Sequence, residues 1–469
     1  MDYERMGFKA GIEIHQQIEG KKLFCDCPAI VHDDNEADVF FERKLRAAAG
    51  ETGKVDQAAK YEMNKDRIFQ YEACSSSSCL VEYDDEPPHN VNNDSLMLAL
   101  EVSKLLNAKI VDEVHFMRKT VVDGSNVSGF QRTALVGFDG YIITSKGKVG
   151  VESVCLEEEA AQKLEEKEHI VKFRLDRLGV GLLEIATDAS IQDPEHAKEV
   201  SSKLGMILRS TGKVKRGIGS IRQDVNVSIN GHPRVELKGF QDVRSMPKVI
   251  ENEIRRQMEE KKGEAHVRRA NPDGTSNYLR PMPGAARMYP ETDVEAIRIS
   301  KKMLDSIVEP ELIDDKVIRF EKEFGLSPEL ARLVVKEEID FKIYTNFKNV
   351  DNKFIAEVLV NYPKEIKKRY SLDSTKLNVK VFKEVLGYLD EGKVPKDAVM
   401  EILVEILQGK KVNLDKYKQV DVKILEKELK KIIADNKGAP MGALMGIAMQ
   451  KFRGKVDGKL VMDLLKKLV

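Results

Sequence analysis

The chain has 469 residues, 42% apolar and 33% charged, with 77 Lys+Arg against 78 Asp+Glu and a formal net charge of −1. At roughly 150 residues per domain this suggests two to four domains. The charge balance excludes a uniformly basic nucleic-acid coat but not a local basic patch. No run of ~18 apolar residues exists, so no transmembrane helix is expected. Met1-Asp-Tyr-Glu-Arg-Met lacks the apolar stretch of a secretory leader. Five cysteines in so long a chain do not make a disulfide scaffold; with the missing apolar run and leader, this predicts a soluble, cytosolic protein without a membrane partner.

In chain order, the first ~295 residues read as α+β: short alternating segments with Gly and Pro between them. Phe8 to Ile18 predicts a strand with Phe8, Ala10, Ile12 and Ile14 on one face and Glu13 and His15 on the other. Asn93/Asp94 caps a predicted helix over Leu96–Leu106. Asp193-Pro194-Glu195 opens another, running to about Ser210 and stopping near Gly212. Ile221 to Ile229 is the clearest strand, with Arg222, Asp224, Asn226 and Ser228 on its polar face. Arg234 to Lys238 answers it across a three-residue loop, Asn230-Gly231-His232. That loop sets Asp224 opposite Lys238 and Asn226 opposite Glu236. From about Ile297 the texture turns to Lys/Glu/Leu-rich helices, without an internal repeat. Val412 to Val469 holds 13 Lys+Arg and 7 Asp+Glu, so a tail of +6 follows a body of −7.

Common nucleotide signatures are missing: there is no Gly-x4-Gly-Lys-Ser/Thr loop, and no Gly-x-Gly-x-x-Gly follows a strand. Candidate chemistry rests instead on charged residues along strand faces. Glu13 and His15, two apart, can meet one ion. Glu157-Glu158-Glu159 follows an alternating run in which Glu157 shares a face with Ser153 and Cys155. Glu184 interrupts the apolar run Val180–Ile185, where a carboxylate requires an ion-pair partner or a metal. Asp224, Glu236 and Lys238 share one sheet face, as an active site or as an ordinary cross-strand salt bridge. Cys25-Asp-Cys27 and Cys74-Ser-Ser-Ser-Ser-Cys79 have the form of a loose four-thiolate zinc knuckle, against buried free thiols as the plain alternative. Cys155 reads as core.

Eight motifs occur in a recognisable order. They are Gly11-Ile-Glu-Ile-His15, Arg118-Lys-Thr120, Leu156-Glu-Glu-Glu159, Gly181-Leu-Leu-Glu-Ile185, Ile221-Arg-Gln-Asp-Val-Asn-Val227, Val235-Glu-Leu-Lys-Gly239, Tyr278-Leu-Arg-Pro281 and Arg287-Met-Tyr-Pro-Glu-Thr-Asp293. Together they resemble the GatB/GatE family of tRNA-dependent amidotransferase subunits over nearly the whole chain. Cys79-Leu-Val-Glu-Tyr-Asp-Asp-Glu-Pro-Pro88 is closer to the archaeal GatE branch than to the bacterial GatB branch. One departure is large. Only about eight residues separate Met258 from Val267, where the archaeal branch normally carries an inserted domain related to one in aspartyl-tRNA synthetases.

The resemblance implies a mixed-sheet catalytic cradle (1–297), an all-α domain (298–411) and a YqeY-like helical tail (412–469). It implies a carbon–nitrogen ligase that uses ATP and Mg2+ to phosphorylate and amidate Glu on misacylated Glu-tRNA(Gln). Ammonia is channelled from an asparaginase-like D-type subunit, in a heterotetramer built on an E-type dimer. By the same resemblance, Glu13, His15, Glu157 and Glu184 are Mg2+ ligands. Lys119, Glu158, Asp224, Glu236 and Lys238 are catalytic, with the choice between Glu157 and Glu158 as ligand left open. By cysteine spacing rather than resemblance, Cys25, Cys27, Cys74 and Cys79 are the candidate set for a structural Zn2+. Lys451, Arg453, Lys455 and Lys459 are the tail cations expected to reach tRNA phosphates. Two other readings stand beside this one: a non-catalytic tRNA-binding adaptor, and a bacterial-type subunit serving Asp-tRNA(Asn) as well.

Overall fold

Strand alternation and capping residues place the elements, and a computed structural model shows how they assemble. It describes residues 1–32, 36–47, 53–240, 242–260, 263–282, 284, 288–417, 422–436, 438–452, 456 and 458–468. The chain divides into two units, Met1–Leu312 and Ile313–Val469.

The first unit opens with β1 (Lys9–Lys22), β2 (Val39–Arg43) and β3 (Ile68–Ala73). Next come β4 (Lys109–Ile110), β5 (Glu113–Val114), β6 (Phe116–Thr120), β7 (Phe130–Thr144) and β8 (Gly147–Glu158). β9 (Gln162–Glu166), β10 (Ile170–Arg174) and β11 (Val180–Thr187) lead to the hairpin of β12 (Ile221–Ser228) and β13 (Val235–Phe240). β14 (His266–Ala270), β15 (Ser276–Pro281), β16 (Met288–Pro290) and β17 (Ile297–Arg298) complete the set. The large sheet runs β15-β14-β13-β12-β1-β11-β8-β7-β6-β16, with β4 added to β7. Only β13 and β14 pair parallel within it. A four-stranded sheet, β2-β3-β10-β9, stands beside it. This is the expected α+β class.

The alternation in β1 is what sides the sheet. Ile12 and Ile14 are almost wholly buried, as are Val225, Val227, Val235 and Leu237 on the neighbouring strands. Three helices of this unit pack against its strands: α2 (Asn93–Leu105), α3 (Pro194–Ser210) and α4 (Met246–Glu259), while the short α1 (Gln57–Met63) lies against β15. Asp193 caps α3 by accepting from His196 N–H at 2.9 Å, Pro194 sits in the first turn, and Gly212 (φ +67°) follows the last. Both ends match the sequence reading, because a cap, an N1 proline and a left-handed glycine are local signals. α2 starts slightly earlier than expected. Asn92, not Asn93 or Asp94, caps it by accepting from Ser95 N–H at 2.9 Å.

The β12–β13 register sets Asn226 opposite Glu236, as the three-residue loop requires. A bulge between Gln223 and Val225 then lets Asp224 reach both Lys238 and the N–H of Gly239. Gly239 has φ +92°, which few other residues tolerate.

The helical texture that begins near Ile297 does not coincide with the unit boundary. β17 still pairs with β5, and Lys104 Nζ donates to Leu304 C=O at 2.9 Å, so residues through Leu312 stay with the cradle. The second unit is helical and has two apolar cores. Phe320, Phe341, Ile355, Val385 and Ile402 belong to the first, and Leu425, Leu429, Leu444, Val461 and Leu465 to the second. Among the described residues, no helix is long and apolar enough to cross a membrane.

At the β16 edge, Glu291 accepts from Arg118 Nη2 at 2.6 Å and from Arg132 Nε at 2.7 Å. Burial opposes ionisation of Glu291. Hydrogen bonds from Arg118 and the Asp293 N–H, with the Arg132 charge, nevertheless hold its carboxyl low, at about 2. A depressed carboxyl stabilises the fold above its unfolded pKa of ~4.3, and that contribution is lost as pH falls toward the folded value. Glu291→Gln is therefore expected to cost roughly 2–3 kcal/mol at neutral pH. The difference from wild type should close as pH drops from ~4.5 toward 2. Urea unfolding at several pH values checks this; equal stabilities at pH 7 contradict it.

Candidate active site

The face of the sheet opposite Ile12, Ile14, Val225 and Leu237 carries charge where a core would carry apolar groups. Register explains how residues far apart in sequence meet there. Asn226 lies opposite Glu236, Glu13 opposite Asp224, and His15 opposite Glu184. Leu182 lies opposite Glu157, which in turn lies opposite Thr133. Directly paired residues share a sheet face, so one row of side chains, mostly polar, crosses six adjacent strands from β13 to β7. Lys119 joins it from β6. The charged members of this row line one cleft of about 700 Å³.

The row resolves into two groups. In the first, donor atoms of His15, Glu157 and Glu184 lie within 4.8 Å of one another. His15 Nε2 is 3.0 Å from Glu184 Oε2, and Lys119 Nζ lies 2.6 Å from Glu157 and 3.6 Å from Glu184. Thr133 donates to Glu157 at 2.6 Å and Gln131 at 3.1 Å, which fixes that carboxylate. In the second group, Glu13, Asp224 and Glu236 offer donor atoms within the same spacing. Lys238 Nζ bridges Asp224 at 2.7 Å and Glu236 at 2.6 Å, and Asn226 donates to Glu13 at 3.1 Å.

The electrostatics follow from this geometry. Burial would raise the Glu184 carboxyl, but the Lys119 charge and the His15 hydrogen bond hold it well below the usual range. Burial lowers His15, and the Glu184 hydrogen bond with the Glu184, Asp224 and Glu157 charges outweighs it, so the imidazole titrates high. Glu13 is raised by burial and by its neighbours Glu236 and Glu184. Lys238 is disfavoured by burial, yet the Asp224 and Glu236 charges keep it firmly protonated. Carboxylate oxygens with one imidazole suit a hard cation such as Mg2+, and each group has donors enough to hold one with waters retained. Neither group holds a protein nucleophile. What the cleft can do is position and neutralise anionic reactants.

Not every expected residue joins. Glu158 faces the other side of β8, where Arg132 clasps it from Nη1 at 3.0 Å and from its backbone N–H at 3.1 Å. Strand alternation separates it from Glu157, so the structure places Glu157, not Glu158, in the cleft. Cys155, read as core, instead lies opposite Glu184, and burial with that carboxylate pushes its thiol up to about 12. The four-cysteine set also needs correction. Cys25, Cys27 and Cys79 cluster with Glu82, whose carboxylate is 3.1 Å from Cys25 Sγ and accepts from Cys79 N–H at 2.8 Å. Cys74, just past the end of β3, is directed toward Asp176, with 4.0 Å between Sγ and Oδ2. The signal for Glu82 is present in the sequence as Cys79-Leu-Val-Glu82, a ligand spacing of three that a search for cysteines alone passes over.

Burial and the Glu82 charge push both the Cys25 and Cys79 thiols up, Cys79 to about 11. A cation would have to offset that repulsion before either sulfur could ionise. The Lys22 side chain stands close by, fully buried and 3.7 Å from Glu82. In the tail, Lys451 pairs with Glu428 and Lys459 is exposed. Arg453 and Lys455 lie outside the described residues. Thr133, Gln131 and Asn226, which orient the carboxylates, are not marked as site residues by sequence, because neutral polar residues on a strand face carry no distinguishing pattern.

A family model described as the GatB/GatE catalytic domain matches residues 8–305, and one described as the GatB domain matches residues 340–469. The E-type subunit of glutamyl-tRNA(Gln) amidotransferase from Methanosarcina acetivorans is 35% identical over 622 aligned positions, spanning 99% of this chain and 98% of its own. The proteins of the same name from Methanocaldococcus jannaschii and Thermococcus sibiricus are 36% and 35% identical. Each of those alignments spans 100% of this chain, with 99% and 98% of the respective relative. An alignment of 622 positions exceeds the 469 residues here by 153, so at least that many positions face a gap in this chain. With two ordered domain matches and end-to-end similarity, the chain belongs to the GatB/GatE family.

Proposed function

We propose that this chain is the phosphorylating and amidating subunit of a tRNA-dependent amidotransferase, converting Glu on misacylated tRNA(Gln) to Gln. The observation that carries the reading is the pair of carboxylate groups, each bridged by a lysine, on the floor of one cleft. The names of the full-length relatives agree with it. In the proposed reaction the side-chain carboxylate of the tRNA-bound Glu attacks the γ-phosphorus of ATP and ADP leaves. Ammonia then attacks the acyl carbon, phosphate leaves, and an amide remains. Phosphoryl transfer of this kind depends on positioning and charge neutralisation rather than on a protein nucleophile.

The chain's residues fit that demand. Lys119 and Lys238 bring fixed positive charge to the cleft floor, where two reactants that are both anions must approach. His15, Glu157 and Glu184 would hold one Mg2+, and Glu13, Asp224 and Glu236 a second. Bound Mg2+ supplies charge neutralisation on the phosphoryl oxygens. Thr133, Gln131 and Asn226 keep the carboxylates oriented. Ammonia comes, in this reading, from a separate asparaginase-like D-type subunit in a complex built on a dimer of this chain. The basic tail, 412–469, is the handle for tRNA phosphates. Cys25, Cys27, Cys79 and Glu82 would hold a structural Zn2+, which would neutralise the group and let the sulfurs ionise.

Supplied with ammonium chloride, the full chain is expected to convert Glu-tRNA(Gln) to Gln-tRNA(Gln) in an ATP-dependent manner. Glu184→Gln should lower that rate by about a hundredfold or more. Amide formation without ATP, or a fully active Glu184→Gln, contradicts the proposal. Elemental analysis should find about one zinc per chain, lost in Cys79→Ser and Glu82→Ala but retained in Cys74→Ser. Metal-free protein of undiminished stability would sink the zinc assignment.

A further inference from the structure

The cations that line the cleft fall into two classes. Lys119 and Lys238 belong to the carboxylate groups already described. Arg222 is held by Glu159 at 2.7 Å, Lys65 by Glu62 at 2.8 Å, and Arg67 and Lys163 by Glu166 at 2.8 and 2.9 Å. Arg234, Arg269 and Arg280 differ. They line the same cleft, yet among the described residues their side chains have neither an ion-pair nor a hydrogen-bond partner.

Register brings these three together. Arg234 shares the face of Glu236 and Lys238 by alternation, Arg269 lies opposite Lys238, and Arg280 lies opposite Val267, itself the partner of Glu236. Three guanidinium groups thus come from β14, β15 and the entry to β13, strands spaced about 4.8 Å apart, beside the Glu13–Asp224–Glu236 group. Each guanidinium offers a planar fork of donors suited to phosphate oxygens. Among the described residues no carboxylate pairs directly with these three like charges, and an anion of high charge density would relieve their mutual repulsion.

We propose that Arg234, Arg269 and Arg280 form the polyphosphate subsite for the nucleotide. This rests on the kinase reading above and adds direction to it. The β13–β15 end of the cleft takes the polyphosphate, and the acyl group of the tRNA is left the His15–Glu157–Glu184 end. A polyphosphate fits better than an RNA backbone because the three cations are concentrated beside one carboxylate group that can share a divalent ion with it. A backbone track would string its cations along a groove.

The test uses the full chain and equilibrium dialysis with Mg-ATP, and with inorganic tripolyphosphate as competitor. Tripolyphosphate should displace ATP from wild type. Arg269→Ala/Arg280→Ala should weaken ATP and tripolyphosphate by about thirtyfold or more. The Arg269→Lys/Arg280→Lys pair, which keeps charge and loses the fork, should fall between. All three residues are exposed or half-buried, so thermal midpoints should match wild type. Affinity for tRNA and its salt slope should stay within about twofold of wild type. Unchanged ATP affinity in the alanine variant overturns the subsite, as does a loss confined to tRNA, which would make it a backbone contact. Wild-type chain that binds no Mg-ATP would instead overturn the kinase reading itself.

Discussion

Six acidic or imidazole side chains crowd one face of a single sheet, and the fold depends on how their repulsion is offset. Lys119 and Lys238 do this from within, each lying close to the carboxylates it separates. Glu184 is forced to ionise by Lys119 and His15 despite its burial, whereas burial and the neighbouring Glu236 and Glu184 push Glu13 toward its neutral form. A charged stripe of this kind is costly to bury and gains little for stability. Such a stripe fits a face that positions anionic reactants better than one that holds the sheet together.

The rest of the cradle supplies what that face lacks. Ala10, Ile12 and Ile14 alternate along β1 with its polar residues and are buried, α3 packs against that strand, and the same alternation runs through β12 and β13. A one-residue slip in any of these strands would carry its carboxylates into the core. The Arg132–Glu158–Glu291–Arg118 network, with Arg132 stacked over Phe24 and Phe130, secures the β6–β7–β16 edge from which Lys119 projects. Glu158 and Glu157 illustrate the division of labour. Adjacent in sequence, they serve opposite faces, one tying strands and the other lining the cleft.

Local signals make much of this legible from sequence. Alternation places Glu13 and His15 together, the Asp193-Pro194 pair fixes the start of α3, and loop length predicts Asn226 opposite Glu236. Glu184 stands out because a carboxylate inside an apolar run demands a partner. The identity of that partner does not follow, since His15 lies 169 positions away and only β1–β11 register joins them. Likewise, nothing local divides the charged residues of the cleft into two groups; the division comes from which strands are neighbours. Cysteine spacing groups Cys74 with the other three because distance along the chain stands in for position in space. Just past the end of β3 it is directed toward Asp176, and Glu82 closes the cluster in its place.

We propose that each of the two carboxylate groups on the cleft floor binds its own cation, independently of the other. Counting bound Mn2+ by electron paramagnetic resonance at saturating metal tests it most directly, with carboxylates serving Mn2+ as they serve Mg2+. The account predicts about two ions per wild-type chain, about one in Glu184→Gln, about one in Glu236→Gln and none in the double variant. A single ion in wild type, or both ions lost together in either single variant, would contradict it.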